Sequence, residues 1–144
     1  MINNELRIVF MGTSRYAEAA LRSLYDQGYQ IPLVVTQPDR RRGRNRKKMA
    51  PPVKHLAETL GLTVFQPDRI RRKESVKLLE SVEPHLMITA SYGQILKQKH
   101  LDIPEFGILN VHASLLPELR GAAPIQYSIM RGYKKTGVTI MKTD

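Results

Sequence analysis

Apolar positions along the 144 residues fall alternately into short unbroken runs and into three- and four-residue spacings, the pattern of strands taking turns with amphipathic helices. Residues 7–11 (RIVFM) form an apolar run entering Gly12-Thr13-Ser14, which predicts a buried first strand that turns tightly into a helix capped by Ser14. Ala17, Ala20, Leu21 and Leu24 mark the buried stripe of that helix, and Gly28 ends it. Residues 31–37 (IPLVVTQ) predict a second strand. Pro51-Pro52 opens a helix through Val53, Leu56, Ala57 and Leu60 that stops at Gly61, with Lys54 and His55 on its solvated face. Residues 63–66 predict a third strand, 74–82 a helix and 85–91 (HLMITAS) a buried fourth strand. His100 is expected in a surface connection. A strand over 108–113, a helix from Pro124 through Ile125 and Met130, and a last strand over 137–141 complete the series.

Strands and helices alternating with short connections predict one α/β domain built on a Rossmann-like, doubly wound, mostly parallel sheet. In such sheets ligands bind in crevices beyond the carboxyl ends of the strands. The 108–113 strand is the informative one. Alternation places Leu109, Val111 and Ala113 on one face and Ile108, Asn110 and His112 on the other. Asn110 and His112 are then about 6.5–7 Å apart along the strand. An amide and an imidazole at that spacing can converge on one small reacting group. The alternative is a satisfied polar side chain beside a core histidine. Gly12 lacks the companion glycines of a dinucleotide fingerprint and reads as a plain strand-to-helix turn.

Charge adds a second feature. The formal charge of +10 is concentrated in residues 40–48 (RRRGRNRKK), where Arg40, Arg41, Arg42, Arg44, Arg46, Lys47 and Lys48 stand without an acid. Without those seven, 16 basic residues face 13 acidic ones. Such a segment seeks phosphates, and like charges around Gly43 predict an exposed, mobile loop. A second basic run, 69–73 (RIRRK), reads as a solvated helix start, with an extension of the polyanion surface as the alternative. The absence of cysteine excludes disulfides and thiolate chemistry, and the scattered histidines suggest no metal site. No apolar run reaches membrane-spanning length and the start lacks a leader pattern, so a cytoplasmic location is expected.

Asn110-Val-His112 followed by Ser114-Leu-Leu-Pro117 resembles the signature of folate-dependent formyltransferases. HASLLPELRGAAPIQ together with TGVTIM resembles the methionyl-tRNA formyltransferase branch. The resemblance implies a formyltransferase fold, N10-formyltetrahydrofolate as formyl donor without a metal, and the amino group of methionyl-initiator tRNA as acceptor. It implies catalysis by Asn110 and His112. It implies a folate pocket formed by Ser91, Tyr92, Gly93, Gln94, Ile95 and Leu96 with Ser114, Leu115, Leu116 and Pro117. The basic segment 40–48 would approach the tRNA acceptor stem, and no obligate protein partner is expected.

In the family a further aspartate, within D-x-G-L-D-T-G, orients the histidine. Asp144 aligns with the first aspartate of that pattern, four residues before the catalytic one. The chain is therefore expected to be an amino-terminal formyltransferase domain over 1–144, truncated before that aspartate and lacking the later domain associated with tRNA binding. By itself it is expected to keep the fold and weak folate affinity but little or no transferase activity. Rival readings are another folate-dependent formyltransferase, acting on glycinamide ribonucleotide or an amino sugar, a non-catalytic RNA-binding fragment, and a dinucleotide-binding module.

Overall fold

A computed structural model describes residues 5–42, 47–112 and 139–143. Its centre is a six-stranded sheet. In chain order the strands and helices are β1 (Arg7–Gly12), α1 (Arg15–Asp26), β2 (Gln30–Val35), β3 (Arg40–Arg42), β4 (Lys47–Met49), α2 (Pro52–Thr59), β5 (Val64–Phe65), α3 (Lys73–Val82), β6 (Leu86–Ala90), α4 (Gln98–Leu101), β7 (Ile108–His112) and β8 (Thr139–Thr143). The sheet order is β5-β2-β1-β6-β7-β8. The first five strands are parallel, and β8 lies antiparallel to β7, with His112 opposite Thr139 and Asn110 opposite Met141.

Alternation along β1 sends Ile8 and Phe10 to one face, where they pack with Ala17, Leu21 and Leu24 of α1 and Val53 and Ala57 of α2. Val9 and Met11 face the other layer, with Ile70, Leu79 of α3 and Tyr92. Val111 of β7 joins the first layer and Ile108 the second, as the strand's alternation predicts. The chain first moves from β1 toward β2 and β5, then returns to lay β6 on the opposite side of β1. Beyond the carboxyl ends of β1 and β6 the connecting loops therefore part, which opens a crevice there.

Gly12 ends β1 inside this packing. A Cβ at that position would stand 2.8 Å from the Ala17 Cβ, the Ala90 carbonyl oxygen and the Phe10 ring, so glycine here permits α1 to approach the sheet closely. Ser14 occupies the N-cap position of α1 without a side-chain capping bond.

Three expectations are corrected. The basic segment is not a loop throughout, because β3 and β4 pair as an antiparallel ribbon outside the main sheet. His100 is fully buried in α4 and not at the surface. Lys54 is drawn off the solvated face of α2 onto Asp39, 3.2 Å away, whereas His55 is exposed as expected. The predicted helix after Pro124 lies outside the described residues, and no helix among them is long and apolar enough to cross a membrane.

Candidate functional site

The rim of the crevice is assembled from the residues that follow β1, β2, β5 and β6. Thr13, just past β1, donates from Oγ1 to the Tyr92 carbonyl at 2.7 Å, and the same oxygen accepts from the Gln37 backbone N–H at 3.3 Å. Gln37, two residues past β2, donates from Nε2 to the Gly93 carbonyl at 3.1 Å and accepts at Oε1 from Gln94 Nε2 at 2.8 Å. Gln94 also donates to the Pro67 carbonyl at 3.2 Å and accepts from the Ile70 N–H at 2.7 Å. Two interlocked glutamine amides thus fasten the turn after β6 to the loops after β2 and β5.

The turn itself is sharply bent. Ser91 (φ 52°) and Gly93 (φ 101°) both take left-handed backbone conformations, which is common for glycine and uncommon for serine. A Cβ on Gly93 would fall 2.6 Å from Gln37 Nε2. Within the segment assigned to folate, Ser91 is exposed, Tyr92 is buried against the second core layer, Ile95 is 82% exposed and Leu96 packs onto that layer. Burial raises the Tyr92 phenol above its ordinary pKa. The Tyr92 and Gly93 carbonyls accept from Thr13 and Gln37, which makes them anchors of the turn.

Asn110 lies half-buried on β7, beside β6, where Thr89 is its register partner. The Thr89 hydroxyl donates to Asn110 Oδ1 at 3.0 Å. With Oδ1 as the acceptor of this bond, Nδ2 is the donor atom of the amide. His112 is the last residue of β7, two positions further toward the rim. Its side chain, residues 114–117, and Arg44 and Arg46 lie outside what is described.

A cleft of about 660 Å³ opens between this rim and the basic ribbon, bounded by Thr13, Ser14, Arg40, Met49, Ser91 and Tyr92. Arg40, Arg41, Lys47 and Lys48 are exposed on the ribbon, where Arg41 stands opposite Lys48 and Arg42 opposite Lys47. Like charges directly across a two-stranded ribbon oppose its pairing, and a polyanion would relieve that repulsion. At the ribbon's root Asp39 accepts from Gln66 Nε2 at 2.7 Å and from Lys54 Nζ at 3.2 Å. These bonds, that from Gln66 first, hold the Asp39 carboxyl below its ordinary pKa of 3.8. A depressed carboxyl pKa favours folding above the unfolded value and loses that contribution as pH falls through the folded one. An NMR titration is therefore expected to place the Asp39 midpoint below 3.8, with the ribbon's root loosening only in that acid range. Asp39→Asn is expected to abolish this acid step.

Comparison with known proteins decides which fold family shares this geometry. The formyl transferase family pattern matches residues 6–144. The chain belongs to the formyl transferase family. Methionyl-tRNA formyltransferase of Bacillus subtilis strain 168 is 52% identical over 135 residues, covering 94% of this chain and 43% of that protein. Its counterpart from Neisseria meningitidis serogroup C is 51% identical over 140 residues, covering 96% of this chain and 46% of that protein. The chain thus spans less than half the length of these curated relatives. Among solved structures, phosphoribosylglycinamide formyltransferase from Bacillus halodurans has a TM-score of 0.61 at 23% identity, covering 96% of this chain and 72% of that one. That likeness shows the shared α/β, Rossmann-like fold of formyl transferases.

The residues that the sequence reading missed around this formyl transferase rim are Thr13, Gln37, Gln66 and Thr89. The available signal was the polar run Thr36-Gln37-Pro38-Asp39 directly after an apolar strand.

Proposed function

We propose that, in the whole protein, this rim transfers a formyl group from N10-formyltetrahydrofolate to the amino group of methionyl-initiator tRNA. The carrying observation is Asn110, a half-buried amide near the carboxyl end of a parallel strand, hydrogen-bonded at Oδ1 by the Thr89 hydroxyl. The donor supplies an activated formyl carbon. Attack by a neutral amine places negative charge on the formyl oxygen and positive charge on nitrogen. Asn110 Nδ2 donates to that oxygen, and His112 takes the proton from the amine and passes it to N10 as the formyl carbon–N10 bond breaks, releasing tetrahydrofolate and the formylated amine. The bent turn from Ser91 to Leu96, together with Ser114, Leu115, Leu116 and Pro117, holds the folate.

The acceptor assignment is supported by the tRNA-specific relatives and by the ribbon. In this reading Arg40, Arg41, Arg42, Arg44, Arg46, Lys47 and Lys48 contact phosphates of the acceptor stem, which gives affinity and salt dependence without reading bases. The 144 residues belong to one formyltransferase domain, and the reaction of the whole protein is cytoplasmic.

Calorimetric titration of the chain with a stable 10-formyl folate analogue tests the folate assignment. Binding is expected, and Gly93→Val is expected to weaken it about 5- to 150-fold, because strain of about 1–3 kcal/mol falls on the turn. An analogue that fails to bind, or binds equally to a folded Gly93→Val variant, would overturn the assignment.

A further inference from the structure

We propose that a second basic cleft, formed by Arg69, Arg71 and Lys97 with Arg40, is an RNA-backbone site that continues the surface of the β3–β4 ribbon. The proposal rests on the tRNA reading above, and it concerns residues that lie outside the ribbon. The cleft holds about 520 Å³ on the other side of Gly93 from the first one. Four cations line it against one carboxylate, Asp68. Arg40 borders both clefts, so the two basic surfaces are continuous.

The backbone that presents these cations is unusually well fixed. The Arg69 carbonyl accepts from Ser75 Oγ at 3.0 Å, the Ile70 carbonyl from His100 Nε2 at 3.0 Å, and the Arg71 carbonyl from Lys99 Nζ. The Ile70 N–H donates to Gln94 Oε1 at 2.7 Å, and the Ile70 side chain is buried. With Ile70 drawn inward on both counts, Arg69 and Arg71 are left exposed on either side of it. Neither arginine, nor Lys97, forms an ion pair among the described residues. Their guanidinium and ammonium groups are therefore exposed without an ion-pair partner among the described residues.

The position along the chain argues the same way. Arg71, Arg72 and Lys73 stand at the amino end of α3, which has no side-chain cap and only Glu74 as an acid in its first turn. The helix dipole places positive potential at that end, where acidic residues stabilise and basic ones oppose folding. A solvated helix start would gain from acids there. Arg71, the one of these three that lines the cleft, is instead suited to an external anion, which both its side chain and the dipole attract. A polyanion is favoured over a small one because Arg40 joins this cleft to the ribbon, so one phosphate backbone can meet both surfaces.

The test is fluorescence titration of the chain with a labelled initiator tRNA over a range of salt concentrations. Each duplex phosphate contact adds about 0.9 to the slope of log affinity against log salt. The triple variant Arg69→Gln, Arg71→Gln, Lys97→Gln is expected to flatten that slope by about 2–3 and to weaken binding about tenfold per lost contact near 0.1 M salt. The lysine-for-arginine variant Arg69→Lys, Arg71→Lys is expected to retain the slope. Thermal unfolding is expected to be no earlier in the triple variant, since Arg71→Gln removes a cation beside a positive helix end and the other two residues are exposed. An unchanged slope and affinity in a folded triple variant would overturn the proposal. So would lost affinity for a small carboxylate or phosphate ligand with RNA binding intact. The ribbon variant Arg41→Gln, Lys48→Gln keeps the two readings apart: if it leaves RNA affinity intact while the triple variant does not, the ribbon assignment fails and this cleft stands.

Discussion

Replacing Asn110 by alanine is expected to slow formyl transfer by the whole protein about 10²- to 10³-fold, the usual consequence of removing a donor aimed at developing negative charge. The loss is expected in kcat and in kcat/KM alike, because the bond strengthens only as charge reaches the formyl oxygen. Asn110→Asp keeps the shape but replaces the donor edge with an anion, and is expected to be no better than alanine. Thr89→Val separates chemistry from orientation. It leaves the amide in place and removes only the hydroxyl that donates to Oδ1 at 3.0 Å. Losing one neutral bond of about 0.5–1.5 kcal/mol is expected to reduce kcat about 2- to 12-fold with little change in KM. Steady-state kinetics with N10-formyltetrahydrofolate and methionyl-tRNA read both effects. An Asn110→Ala enzyme within a few fold of the parent would remove Asn110 from the chemistry.

The order of strands and helices was legible because each strand here is an apolar run and each long helix a spaced stripe. Ala17, Ala20, Leu21 and Leu24, read from spacing alone, are all buried against the sheet. The side of β7 on which Asn110 lies was legible for the same reason, since alternation needs no tertiary information. What alternation cannot reveal is which polar side chains meet across the rim. Gln37 and Gln94 are 57 positions apart and touch only because β1 separates their strands by one place in the sheet. The ribbon escaped notice for another reason. A run of arginines and lysines carries no apolar alternation, so Arg40 pairing with Met49 leaves no mark in hydropathy. Lys54 looked solvated because its partner, Asp39, belongs to a different connection.

His100 is the instructive error, and its replacement carries the second large effect. A polar residue between Lys99 and Leu101, ahead of a proline, reads as surface, yet the ring is fully buried and bonded at both nitrogens. Nδ1 accepts from the Lys97 N–H at 2.9 Å, which makes Nε2 the protonated nitrogen of the neutral ring and the donor to the Ile70 carbonyl at 3.0 Å. The imidazole is thus a fixed-length bridge from the short helix α4 to the segment ahead of α3. His100→Ala leaves a part-buried N–H and a buried C=O without their partner and opens a cavity, and is expected to cost about 2–4 kcal/mol. Because Ile70 also holds Gln94 at 2.7 Å, the loosening is expected to spread to the turn after β6. Hydrogen exchange should therefore accelerate at the Lys97 and Ile70 amides before that of the β1 strand. His100→Gln, with one donor and one acceptor at the end of its side chain, is expected to recover part of the stability. Urea unfolding that finds His100→Ala within about 0.5 kcal/mol of the parent, the range of an ordinary surface change, would show that the bridge does not hold these segments together.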